Sequence, residues 1–192
     1  MKIAVFYNLP EGGAKRTAEE QIKRLRKKHE VDVFNAGATP PRGWSRLKTD
    51  FFKFWKLRKT HQMLALKIDK GGYDVTLVHP CCFTQAPYLL RYLKTPKVYF
   101  CQEPLRICYE YNLFFKEKVG IFKKTYEKVT RWLLKKIDFE NTRSATSVLV
   151  NSYHSLETIH KIYGIYPEVC YLGVDADHFQ PIAGFKKQGI LF

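Results

Sequence analysis

Residues 150–181 read VNSYHSLETIHKIYGIYPEVCYLGVDADHFQP. The stretch opens on the end of an apolar strand. Asn151-Ser152 then stand where a helix cap is needed, and the following helix stops at Tyr163-Gly164, since glycine suits the helix terminus. A second short strand, EVCYLG, leads into Gly173-Val174-Asp175. Strand, helix and strand in this order form a unit whose strands are parallel and whose crossover is right-handed.

The same alternation extends back to the start of the chain. KIAVFY, residues 2–7, is an apolar run of the kind found in a buried parallel strand. NLPEGGA is a glycine-rich turn, and KRTAEEQIKRLRKKH places Ala18, Ile22 and Leu25 on one face of a helix. VDVF is a second strand; YDVTLVHP, residues 73–80, is a third, followed by a helix over TQAPYLLRYL. KVYFCQEP, residues 97–104, is a fourth strand ending in a polar cluster, and SVLVN, residues 147–151, is a fifth. The pattern predicts an α/β fold built on a doubly wound, mostly parallel sheet.

A chain of 192 residues can bury one sizeable core, and 45% hydrophobic residues exclude a disordered chain. No run of ~18 apolar residues provides a membrane span, and the first ten residues lack the pattern of a signal peptide. The five cysteines, Cys81, Cys82, Cys101, Cys108 and Cys170, are odd in number and form no CxxC pair. They read as reduced thiols of a cytoplasmic protein. The net charge of +15 is the unusual quantity. Such a field attracts nucleic acid, anionic lipid headgroups or phosphorylated small molecules.

Two long basic segments interrupt the alternation. In residues 42–67, Trp44, Leu47, Phe51, Phe54 and Trp55 recur at helical spacing among Arg46, Lys48, Lys53, Lys56, Arg58 and Lys59. Aromatic side chains mixed with lysine and arginine suit a helix lying in a membrane interface, while a crossover helix packed in the ordinary way is the other reading. In residues 114–137 a regular stripe runs through Phe115, Val119, Phe122, Tyr126, Val129, Leu133 and Ile137. That stripe is expected to pack on the sheet.

Ligands of an open parallel sheet bind beyond the carboxyl ends of its strands, and four such ends carry polar groups here. Gly12-Gly13 with Arg16 combine free backbone N–H groups and a helix N-terminus, which suits an anion or a sugar; a plain tight turn would also explain two glycines. His79 closes the third strand. Gln102, Glu103 and Arg106 follow the fourth, where a carboxylate and a guanidinium either bind a polar ligand or pair with each other. Asn151 ends the fifth, where Asn151-Ser152 most simply cap the next helix. Other chemistries lack their motifs. There is no GxGxxG, no acid at the end of VFNAG to hold a ribose, no GxSxG elbow and no metal-ligand spacing.

Asn-Ser before a helix, Tyr-Gly at its end, a strand and then GVDADHFQP resemble the end of the N-terminal domain in retaining glycosyltransferases of family 4, whose architecture is GT-B. GGAKR resembles that family's Gly-Gly loop with its following arginine, and YFCQEPLRICYE resembles a subgroup's segment after the fourth strand. The resemblance implies one Rossmann-like half of a GT-B enzyme: residues 1–182 as the acceptor-side domain, and 183–192, including KQGILF, as linker and start of a donor-binding domain. It further implies a nucleotide-diphosphate sugar as donor, transfer with retention of configuration, and no cofactor or obligatory metal. Gly12, Gly13, Arg16, His79, Gln102, Glu103, Arg106 and Asn151 are the expected substrate-binding residues, and the catalytic residues are not assigned. The family often carries a histidine where this chain has Gln102, and His79 lies one strand earlier.

The expected partners are the donor, held by the second domain, and a sugar or lipid-linked acceptor. The basic-aromatic segments add peripheral contact with an anionic membrane, on its cytoplasmic face. The 192 residues alone are expected to transfer no sugar. The competing reading is a basic α/β module that binds nucleic-acid phosphates without transferase activity, although no nucleic-acid motif is present.

Overall fold

The computed structural model describes residues 1–37, 45–109, 120–176 and 180. Strand β1 (Lys2–Asn8) leads through α1 (Gly13–Leu25) to β2 (Glu30–Phe34). Next comes one continuous helical rod: α2 (Arg46–Phe51), a π-helical turn (Phe52–Lys56) and α3 (Leu57–Lys70). The rest of the chain runs β3 (Val75–Cys81), α4 (Leu89–Tyr92), β4 (Lys97–Phe100), α5 (Arg106–Tyr109), α6 (Ile121–Arg143), β5 (Ser147–Val150), α7 (Tyr153–Tyr163) and β6 (Glu168–Val169).

The six strands form one sheet in the order β2-β1-β3-β4-β5-β6, and every paired strand is parallel to its neighbour. This is the doubly wound, Rossmann-like arrangement expected. The order reverses between β1 and β3: from β1 the chain moves outward to β2, and from β3 it moves the other way to β4.

Side chains alternate across the strands, and that period of two sorts the core into layers. Ile3 and Val5 of β1 pack with Ile22 of α1 and Val31 of β2. Ala4 and Phe6 face the opposite way, into the larger cluster that includes Ala65, Ile68, Leu89, Tyr99 and Val150. Helix α1 buries Ala18 and Ile22, with Leu25 packed partly against the same cluster, as its spacing predicts. Ser152 caps α7 by accepting the Ser155 N–H at 3.2 Å, and Gly164 closes that helix at φ 65°. Few residues other than glycine hold this left-handed conformation cheaply.

Several elements depart from their sequence reading: of the strand read over EVCYLG, only Glu168–Val169 pairs in the sheet. The helix over residues 84–93 contracts to Leu89–Tyr92. Pro87 has no N–H to give, and both backbone groups of the preceding Ala86 are taken by α6: its N–H by Asp138 at 3.1 Å and its C=O by Asn141 at 2.8 Å. The stripe over 114–137 is core only in part. Phe115 and Val119 lie outside the described residues, Phe122 and Val129 are exposed, and Leu133 and Ile137 are half-buried. The fully covered side of α6 is instead mostly polar: Thr130, Leu134, Asp138, Asn141 and Thr142. Of the first basic segment, Leu47, Phe51 and Trp55 are exposed, Phe54 is half-buried and Trp44 lies outside the described residues. The expected domain boundary at 182/183 also lies outside them.

Candidate functional site

The strand order reverses between β1 and β3, the point at which ligands of an open parallel sheet bind beyond the carboxyl edge. The β1 side is glycine. Gly12 adopts φ 154° and ψ −175°, a region closed to residues with a Cβ, and it precedes α1 with no side-chain cap. The first N–H groups of α1 have no acceptor within the helix. A Cβ placed on Gly12 or Gly13 would meet nothing within 4 Å, so the space in front of these amides is open. No acid lies in the first helical turn. Arg16 is exposed on the same helix, whereas Lys15 is engaged by Glu11 and, at 3.7 Å, by Glu19.

The β3 side begins with His79, which is wholly buried. Its ring lies 5.7 Å from that of Phe100, and neither ring nitrogen has a hydrogen-bond partner among the described residues. Burial depresses its pKa from 6.5 to about 4, so the imidazole is neutral at physiological pH. Beyond Pro80 the chain turns back in a tight loop. Cys81 and Gln85 exchange backbone hydrogen bonds of 2.8 and 2.9 Å, and Gln85 sits at φ 55°. From this left-handed conformation its side-chain amide donates to the Glu103 carbonyl at 3.0 Å, tying the loop after β3 to the loop after β4.

A second tie joins the ends of β4 and β5. Ser155 Oγ lies 2.8 Å from Asn151 Oδ1 and 3.1 Å from the carbonyl oxygen of Gln102. Asn151 and Gln102 are thereby held at one place by a helix residue between them. The Gln102 side-chain amide nitrogen is buried and unbonded among the described residues, while Glu103 and Arg106 are exposed, Arg106 on α5.

The expected residues therefore sit on the ends of four adjacent strands, β1, β3, β4 and β5, a row of roughly 14 Å at the usual strand spacing. Over residues 11–178, from the glycine loop past Gly173-Val174-Asp175, the chain matches the model described as Glycosyltransferase Family 4. The chain belongs to glycosyltransferase family 4. Comparison with curated proteins finds no match.

The supporting residues of this family-4 domain were not visible in the sequence. Asn8 ends β1 almost fully buried; its amide lies 3.5 Å from Cys81 Sγ, and its carbonyl accepts the Cys82 N–H at 2.9 Å. The only signal was a polar residue closing an apolar strand. Gln85 and Ser155 gave none, because each acts across more than 15 residues of sequence on a backbone carbonyl. Among the described residues, no group of three or more His, Cys, Asp or Glu side chains could hold a metal ion.

Proposed function

We propose that this domain holds the acceptor while a sugar is transferred to it, with retention of configuration, from a nucleotide-diphosphate sugar. A second Rossmann-like domain would bind that donor across the cleft. One observation carries the reading: the open, uncapped N-terminus of α1 behind Gly12 and Gly13, at the point where the strand order reverses. Backbone N–H groups there suit the negative charge or hydroxyls of a ligand, and the absence of side chains lets it approach. Arg16 would stand near anionic groups. Gln102, Glu103, Arg106 and Asn151 would line the acceptor side. His79, being neutral, would offer hydrogen bonds without charge if the ligand reaches it.

The acceptor would be lipid-linked and would lie at a membrane; exposed aromatic side chains and lysines sharing one segment of the domain support this reading. No obligatory metal is expected, so transfer should survive a chelator. The decisive test is Gly13→Val in the enzyme carrying both domains. The open space around Gly13 means that its melting temperature should stay near that of the wild type, while transfer falls by two orders of magnitude or more. Wild-type transfer rates would reduce the glycine loop to a turn and overturn the site.

A further inference from the structure

Two crossover helices of this fold are too long for the strands they serve. Strand β5 has 4 residues and spans ~13 Å, whereas α6 has 23 residues and extends ~35 Å. The rod from Arg46 to Lys70 extends ~37 Å against ~23 Å for the 7 residues of β3. A crossover helix ends where the next strand begins, so the excess length falls at its N-terminal end. That end lies at the carboxyl edge of the sheet, beside the candidate site.

The overhangs meet. Tyr126 of α6 donates a hydrogen bond of 2.8 Å to Asp50 of α2, whose other oxygen lies 3.8 Å from Lys53 Nζ. The π-helical turn is seated on the loop after β3, with the Phe52 and Phe83 rings 5.4 Å apart. Both overhangs leave large apolar side chains outward. Leu47 is 67% exposed, Phe51 61% and Trp55 68%, one turn apart along the rod; on α6, Ile121 is 81% and Phe122 94% exposed. A shallow groove runs between Leu47, Phe51 and Phe52 and the stems of Lys48 and Lys56. Lys48 and Lys56 at this groove, and Lys123, Lys124 and Lys128 on the overhang of α6, are exposed. Of the acids in these stretches, Asp50 is buried and Glu127 half-buried.

We propose that the overhanging halves of α2 and α6, pinned together by Tyr126 and Asp50, form one docking platform for an anionic membrane. Charge complementarity selects this occupant. Exposed lysines accompany the exposed apolar side chains on both overhangs, whose described residues include no exposed acid, and lysine stems reach along apolar surface while their heads meet lipid phosphates. The platform deepens the acceptor reading, because docking there sets the carboxyl edge of the sheet beside the bilayer surface. Its binding activity does not depend on that reading.

The test is sedimentation with vesicles of phosphatidylcholine alone or mixed with phosphatidylglycerol, at low and high salt. The chain is expected to bind the anionic vesicles, with one fraction released by salt and another resistant. Replacing Lys48, Lys56, Lys123 and Lys124 by Gln should weaken low-salt binding at least about tenfold, given the worth of each cation near such a surface. Trp55→Ser and Phe122→Ser should each reduce the salt-resistant fraction, and together abolish it, because both helices insert. Tyr126→Phe, which keeps the ring and loses the pin, should weaken binding several-fold with unchanged circular dichroism. No affinity of the wild type for anionic vesicles, or affinity indifferent to these substitutions, overturns the proposal. So does a vesicle-free dimer that Phe122→Ser dissociates, which would assign the face to a second copy, or tight duplex binding in place of vesicle binding. Transfer to a soluble acceptor without vesicle binding would remove the platform and the membrane position of the acceptor, and leave the sugar-transfer reading of the glycine-loop site. Vesicle binding in an enzyme that transfers no sugar would do the reverse.

Discussion

The Asp138 carboxylate accepts the backbone N–H of Ala86 at 3.1 Å, and three residues further along α6 Asn141 donates to the Ala86 carbonyl at 2.8 Å. One helix thus satisfies both backbone groups of a residue in the loop after β3. The neighbouring Gln85 then reaches the loop after β4. Arg91 reinforces the join by bonding to Asn141 and to the Ile137 carbonyl, the latter at 3.1 Å. The candidate site is built on loops, yet these loops are held by a helix whose covered face is polar.

Asp138 makes stability depend on pH. Burial pushes its carboxyl from 3.8 up to about 7, against the opposing hydrogen bonds from Tyr163 and Ala86. The folded protein therefore keeps a proton that the unfolded chain releases, and this contribution is lost as pH rises from about 4 to about 7. Asp138→Asn removes the titration. The melting temperature of the variant relative to the wild type should rise across that window. A difference that stays constant with pH would mean that the carboxylate is already ionised when buried.

His79 acts with the opposite sign. Its folded pKa, about 4 against 6.5, makes the unfolded chain the better proton binder between those values. Its contribution is present above pH 6.5 and is lost as pH falls toward 4. His79→Gln should lessen the loss of stability over this range, and the effect should be clearest in an Asp138→Asn background, where the opposing slope is absent. An unchanged acid slope would place the imidazole in contact with water.

Gly12 and Gly13 should separate conformation from access. Gly12→Ala forces a Cβ onto φ 154° and is expected to cost about 1–3 kcal/mol in chemical denaturation, even though nothing crowds the position. Gly13→Ala meets the same open space at an ordinary backbone angle and should leave stability unchanged or slightly raised. Equal stability of the two variants would show that the loop relaxes around Gly12.

Local rules determined much of this protein. Apolar runs alternating with amphipathic segments, Ser152 as cap and Gly164 as stop depend on neighbours within a few residues, so the parallel α/β fold was legible. The strand ends carrying Gly12, His79, Gln102 and Asn151 were legible for the same reason, because a ligand edge follows from strand direction alone. Tertiary structure alone decided how those ends are held. The hydrogen bonds from Gln85 to Glu103, from Asn141 to Ala86 and from Ser155 to Gln102 join distant segments, and all three end on a loop carbonyl that has no sequence signature. It also decided the fate of the stripe in α6. Spacing marks which side chains share a helix face, but whether that face meets a sheet depends on how far the strand beneath it runs. Beyond the four residues of β5 the helix outlasts its sheet, and Phe122, spaced as core, stands in solvent.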